Sequence, residues 1–191
     1  MKRTRFLSGF LPVLVLAVLV SGCVSAPGPH CARLAFNGWF CLLPPSALAP
    51  RNGTDLVTVT RDGKSERFVG QLSITSARLQ LALTNLAGVP AATLTWDGIK
   101  AGIVAPKTKL DAERLTALLE LTLAAPAELR PALHGLTLAT SRTGLREERR
   151  LTSGTRLVAR AVMMTSGVTH IEVPRVQLKI TLKPLKHDAD E

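Results

Sequence analysis

Three cysteines, four histidines and one pair of adjacent glutamates are the side chains here whose types invite chemistry. Cys23 says the most, because of what precedes it. Met1–Arg5 carries Lys2, Arg3 and Arg5 with no acid, and Phe6–Val20 is apolar apart from Ser8, Gly9 and Pro12. Val20-Ser21-Gly22 then leads into the cysteine. A basic start, an apolar stretch and small residues at a cut site describe a secretory signal. The apolar run is shorter than the roughly 20 residues a bilayer-spanning helix needs. A plain signal needs no cysteine at its cut; a plain signal or an amino-terminal anchor with a chance cysteine is the competing reading. Cys31 and Cys41 are two nearby thiols, which an oxidising compartment commonly pairs, against the alternative of two buried free thiols. His30, His134, His170 and His187 stand apart, no pair has metal-ligand spacing, and no Gly-x-Ser-x-Gly elbow or phosphate-cradling loop occurs. Glu147-Glu148 has the form of paired carboxylates, but Arg146, Arg149 and Arg150 around it predict a solvated ion-pair patch. The expectation is therefore a non-enzyme with no catalytic residue, no metal and no cofactor.

The order Val20-Ser21-Gly22-Cys23 resembles the lipobox of bacterial lipoproteins. That resemblance implies that Cys23 is diacylated, the signal removed and the new amino terminus acylated. One acyl chain holds a membrane weakly and two or more hold it stably, so Cys23 becomes the anchor. Val24, rather than Asp, follows the cysteine. Under the sorting rule that comes with the resemblance, this implies the periplasmic face of the outer membrane.

Removal of residues 1–22 takes three positive charges from a formal +10 and leaves +7 over 169 residues, enough for one domain with a real core. A basic surface in the envelope suits anionic headgroups or simply solubility. It does not point to nucleic acid, since the chain carries an export signal and 4% aromatics offer few platforms for stacking bases.

The elements that must position these residues follow from texture. Ser25, Ala26, Pro27, Gly28 and Pro29 resist helix and strand, and residues 23–40 read as the lipidated cysteine and a tether. Leu42-Leu43-Pro44-Pro45 marks a further break. From Leu56 short β-branched and apolar runs alternate with turn residues. Leu56–Thr60 leads through Asp62-Gly63 toward Phe68–Thr75, and an Asp-Gly pair between such runs signals a hairpin. In Arg78–Thr84, Leu79, Leu81 and Leu83 face one way. Thr93–Trp96 and Ile99–Ala105 follow around Asp97-Gly98. The period then switches once: Leu115, Leu118, Leu119 and Thr122 have helical spacing after a capping Asp111, and Pro126 starts a second short helix through Leu133. Strand texture returns at 136–141, 145–151, 156–164, 168–173 and 176–182. The sum is mainly β: one antiparallel sheet of about ten strands over residues 41–183, curled under a helical lid, with residues 184–191 as a tail. Leu72, Ile74, Leu79, Leu81, Leu83, Leu94, Trp96, Leu115, Leu118 and Leu119 are predicted to line a cavity or to fill a core; the pattern does not separate the two.

Leu42-Leu43-Pro44-Pro45, Leu86-Ala87-Gly88, Trp96-Asp97-Gly98, Leu118-Leu119 to Leu133 and Leu145-Arg146-Glu147 fall in one order. That order resembles a family of uncharacterised bacterial lipoproteins (DUF 3261), often encoded beside aryl-polyene or fatty-acid-synthase-like gene clusters. The family is distantly similar to LolB, the outer-membrane receptor that accepts and inserts lipoproteins. The resemblance spans about residues 40–183 and implies a LolA/LolB-like half-open barrel with a helical lid. It further implies a lipid, acylated or polyene ligand handed on at the membrane, and a periplasmic LolA-like carrier as a partner. LolB carries a protruding leucine on a loop between two strands. The matching segment is Thr84-Asn85-Leu86-Ala87-Gly88-Val89-Pro90, which makes Leu86, with Val89 as the alternative, the candidate for insertion into the membrane. Asn85 and Ala87 depart from that pattern, and Leu86 folding back into the core is the other outcome. Two rivals stand beside this reading: a docking lipoprotein with a filled interior that recruits biosynthetic or export proteins, and an enzyme with a polar cleft.

Overall fold

The computed structural model describes residues 28–105 and 111–185. Its backbone is a long hairpin of two eleven-residue strands, β3 (Arg51–Arg61) and β4 (Lys64–Ile74). Asp62 and Gly63 turn it, both at positive φ (50° and 76°). That is the twist a two-residue hairpin turn needs, and an Asp-Gly pair supplies it at low cost. The meander continues through β5 (Leu79–Asn85), β6 (Pro90–Trp96) and β7 (Ala101–Val104). After the helical insertion it resumes as β9 (Thr137–Thr143), β10 (Arg146–Ser153), β11 (Arg156–Met164), β12 (Thr169–Val173) and β13 (Leu178–Pro184). β13 then pairs back onto β3, so the two meanders form one ten-stranded antiparallel sheet in the order β7-β6-β5-β4-β3-β13-β12-β11-β10-β9. β7 and β9 are its two edges and do not pair with each other, which leaves the barrel half open.

Strand alternation buries one face. Leu72, Ile74, Leu79, Leu94, Trp96, Ala159, Ala161 and Ile171 form a core with helix α1 (Ala112–Leu123), which lies against β6, β7 and β11. Asp111 caps α1, its Oδ1 accepting the Arg114 N–H at 3.2 Å. The second helix, α2, is shorter than the spacing predicts: it covers Pro126–Leu129 and passes into a 3-10 turn over Arg130–Ala132. Pro131 has no N–H to offer an α-helical ladder.

The tether reading needs correcting over its second half. The fold begins at Cys31, not after residue 40. β1 (Cys31–Ala35) and β2 (Gly38–Cys41) form a hairpin, and β8 (Leu133–His134) adds a third strand to make a separate small sheet. Ala32 and Phe40 face each other across that hairpin, and both are buried in the core. Runs of five and four residues are too short for alternation to show in sequence. Gly135 (φ 66°) closes the joint, since a Cβ there would run into the Asn37 carbonyl. At the other terminus β13 runs through Pro184, and the Leu185 N–H donates to the Thr54 carbonyl at 2.9 Å, so the sheet extends one to two residues into the predicted tail.

Candidate functional site

The ten residues predicted to line a cavity or fill a core divide plainly. Leu72, Ile74, Leu79, Leu94, Trp96, Leu118 and Leu119 are buried among one another, and Leu81 and Leu115 pack half-buried against them. α1 fills the concave face over that half of the sheet. Leu83, on the same face of β5, lies two residues further toward the open end and is half-buried outside that cluster. Phe68 and Val59, on the inner face of β4 and β3 by the same alternation, are half-buried too. The apolar lining thus continues past the lid, with Val57 buried and Val59, Phe68 and Leu83 half-buried among the described residues.

At that end the β5–β6 turn projects outward. Asn85 shapes it: its Oδ1 accepts the N–H groups of Ala87 (3.0 Å) and Val89 (2.9 Å), and its carbonyl accepts the Gly88 N–H. The asparagine that departs from the LolB-type pattern therefore satisfies the turn's own backbone. Leu86 and Val89 are left 65% and 56% exposed, so Leu86 does not fold into the core. Val176, in the β12–β13 connection at the same end, is also exposed. Between that connection and the β3–β4 turn lies an open hollow of about 420 Å³, lined by Val173, Pro174 and Leu178 with Thr60, Gln177 and Lys179.

The opposite end of the sheet holds a buried polar clamp that sequence reasoning missed. Trp96 donates its Nε1–H to the Leu43 carbonyl at 2.6 Å, and the Leu43 N–H donates to Glu120 Oε2 at 3.0 Å. One residue of the Leu42–Pro45 strap, Leu43, is therefore gripped through its C=O by the sheet and through its N–H by the lid. Glu120 is fully buried, and its Oε1 has no partner among the described residues. Burial pushes its carboxyl up to about 8, against a smaller opposing pull from the Leu43 N–H. Glu120 sits within the helical stretch as one acid among leucines, which gave no reason to choose it. His30 packs its ring 5.5 Å from that of Trp96, and Cys31 and Cys41 are joined by a disulfide directly after it.

The glutamate pair splits between the two faces of β10, which corrects the reading of a single solvated patch. Arg149 is buried under the sheet. Its Nη1 donates to the carbonyls of Leu121 (2.9 Å) and Ala124 (2.6 Å) at the end of α1, while its Nε donates to Glu147 at 2.7 Å. A cation at the negative end of the helix macrodipole is favourable. Glu148 points the other way and accepts from Arg160 and Arg146, which hold its carboxyl below the usual range. Arg146 and Arg160, with Val162, Met164, His170 and Glu172, border an open depression of about 360 Å³ on the convex face. His170 is exposed there, 3.0 Å from Thr181 Oγ1. Among the described residues no group of three His, Cys, Asp or Glu is placed to hold a metal ion. Cys23, Val24, the signal segment and His187 lie outside the described residues.

The sequence profile of a family described as "Protein of unknown function (DUF3261)" matches residues 52–186. The chain belongs to that family. A comparison with curated proteins gave no match. The DUF3261 match takes in the ten-stranded sheet and the lid but not the β1–β2 hairpin, its disulfide or the Leu42–Pro45 strap. In this DUF3261 domain, then, the side of the clamp that holds the strap (Trp96, Glu120) lies inside the match and the strap itself outside it.

Proposed function

We propose that the protein is a lipoprotein of the periplasmic face of the outer membrane, anchored through Cys23. It would bind the apolar part of a lipid or of an acylated or polyene molecule and help transfer it at the membrane. The distant likeness to LolB and the lipobox-like Val20-Ser21-Gly22-Cys23 support this reading. The observation that carries it is the half-buried apolar continuation of the inner face beyond the lid, Val59, Phe68 and Leu83, beside exposed Leu86 and Val89. Such a surface holds an alkyl chain by exchange of one apolar environment for another, with no covalent chemistry. A LolA-like periplasmic carrier is the partner this reading calls for, and no catalytic step is assigned.

A docking lipoprotein that recruits envelope biosynthesis or export proteins is the second reading. The filled interior favours it, because seven of the ten candidate lining residues are spent on the core. One experiment separates the two. The chain with Cys23→Ala and a cleavable periplasmic signal is purified from its host without detergent, then examined by native mass spectrometry and organic extraction. A bound acyl or polyene mass, displaced by a fluorescent fatty acid and lost in Leu83→Asp, supports the lipid reading. An apo mass with no probe binding overturns it in favour of docking.

A further inference from the structure

We infer that the protein stands on its anchoring membrane by the end of the barrel that carries the Trp96-Asp97-Gly98 turn, docking onto anionic phospholipid through Ile99, Lys100 and Arg78. The inference rests on the reading of Cys23 as the lipid anchor, and it concerns which way the anchored domain faces.

Chain length supplies the first argument. The described chain begins at Gly28, against Cys31 Sγ, and two residues later the His30 ring lies beside Trp96. Cys23 is five residues before Gly28, so it can stand no further than about 18 Å from it. Trp96 pairs with Leu79, and Leu86 lies seven residues on along β5 and its turn, about 23 Å at the rise of a strand. The tether is shorter than the sheet is tall. A bilayer holding the lipid therefore meets the Trp96 end before it meets Leu86.

The chemistry of that end is the second. Its turns are 75–78, 97–100, 143–146 and 164–168, together with the two ends of the sheet at Arg51 and Pro184. Ile99 (76% exposed) and Leu145 (70%) stand at two of the tips, and Arg51, Arg78 and Lys100 are exposed around them. Asp97, itself exposed, is the only acid among the described residues of those turns, and its Oδ1 accepts the N–H groups of Ile99 (2.9 Å) and Lys100 (2.7 Å). Arg51 is ion-paired with Asp55 at 3.8 Å, and apolar tips among the exposed cations Arg78 and Lys100 suit an interface of anionic headgroups over acyl chains. Composition alone does not choose the end, because Leu86, Val89 and Val176 have Arg61, Lys64 and Arg175 near them. The tether does. The open apolar end then faces away from the anchoring leaflet, toward whatever brings the cargo. The family likeness, by contrast, sends Leu86 into that leaflet.

The test uses the full chain, exported and processed, with Ile99→Cys or Leu86→Cys. Once Cys23 is acylated and Cys31 is bonded to Cys41, the introduced thiol is the one left to carry a bimane label. Mass spectrometry first establishes the acyl groups on Cys23. The labelled proteins are then incorporated in vesicles of phosphatidylethanolamine and phosphatidylglycerol. The expected result is quenching at position 99 by a nitroxide lipid and at position 86 by aqueous iodide. Arg78→Glu with Lys100→Glu should lower the lipid quenching at position 99 several-fold. Lipid quenching at 86 and iodide quenching at 99 overturns the inference, as does iodide quenching at both on an acylated chain. A mature chain with no acyl mass at Cys23 overturns the anchor reading and this inference together, and the mass spectrum identifies that case.

Discussion

Replacing Glu120 by glutamine should make the protein more stable at neutral pH, although the residue is buried and hydrogen-bonded. Its carboxyl has no solvent exposure, one oxygen takes the Leu43 N–H at 3.0 Å, and the other has no partner among the described residues. Burial carries its titration from an unfolded value of 4.5 to about 8 in the folded protein. Below the unfolded value both states hold the proton and the group has no effect. Above it the unfolded chain releases the proton while the folded chain keeps it, so stability falls as pH rises, until the folded group also titrates. The slope is about 1.4 kcal/mol per pH unit, which amounts to about 3 kcal/mol by pH 7. Glutamine keeps a carbonyl for the Leu43 N–H and has no proton to lose. Its amide NH2 takes the place of an equally unpartnered hydroxyl, so the exchange costs little. Urea unfolding followed by tryptophan fluorescence, on a Cys23→Ala background between about pH 5 and pH 8, measures the difference between the two proteins. Asp55, also raised by burial against the weaker pull of Arg51, is common to both and cancels. The variant's advantage should widen with pH across that window. A difference that stays constant with pH would refute the reasoning.

Three further outcomes test the scaffold. Arg149→Met should cost about 3 kcal/mol or more, because two helix-end carbonyls and Glu147 lose their partner together; Arg149→Lys should recover less than half, read as the unfolding midpoint. Trp96→Phe should cost about 1–3 kcal/mol by orphaning the buried Leu43 carbonyl, and combined with Glu120→Ala it should cost less than the sum of the two, since both grip the same residue, Leu43. Cys31→Ser with Cys41→Ser should lower stability by about 3 kcal/mol for a closed loop of this length, and reductant should bring the native protein to the same midpoint while leaving the double variant unchanged.

What was legible in the sequence was whatever repeats along it. Alternation in Leu79-x-Leu81-x-Leu83, the Asp62-Gly63 turn and the single switch to helical period gave the half-open sheet and its lid, because each is written in neighbouring residues. The β1–β2 hairpin escaped, since its strands are too short to alternate and what orders them is contact with distant partners: Phe40 in the core, Leu133 and His134 of β8, and Asn37 against Gly135. Glu120 and Arg149 escaped for a related reason. An acid within a leucine-rich helix and an arginine in a charged run have the same local appearance whether they face water or the core. Only tertiary placement shows that one binds a strap and the other caps a helix. Asn85 is the instructive middle case. It counted as a departure from a pattern of leucine and glycine, yet its side chain is what holds Leu86 outward.

The residues that carried the resemblance now have physical work to do, and most of it is structural. Leu43 is the gripped residue, Trp96 one hand of the grip, and Gly98 packs on Pro45 beside it. Those residues tie strap, sheet and lid into one body, a structural role that says little about function. Function is better sought where burial does not dictate the residue type. Here that leaves the apolar tips at the two ends of the barrel, Leu86 and Val89 at one, Ile99 and Leu145 at the other. A half-barrel clamped at one end and carrying apolar tips at both has two surfaces to engage. If Cys23 is the lipid anchor, as proposed, the length of the tether assigns one of them to the membrane and leaves the other for cargo or a partner.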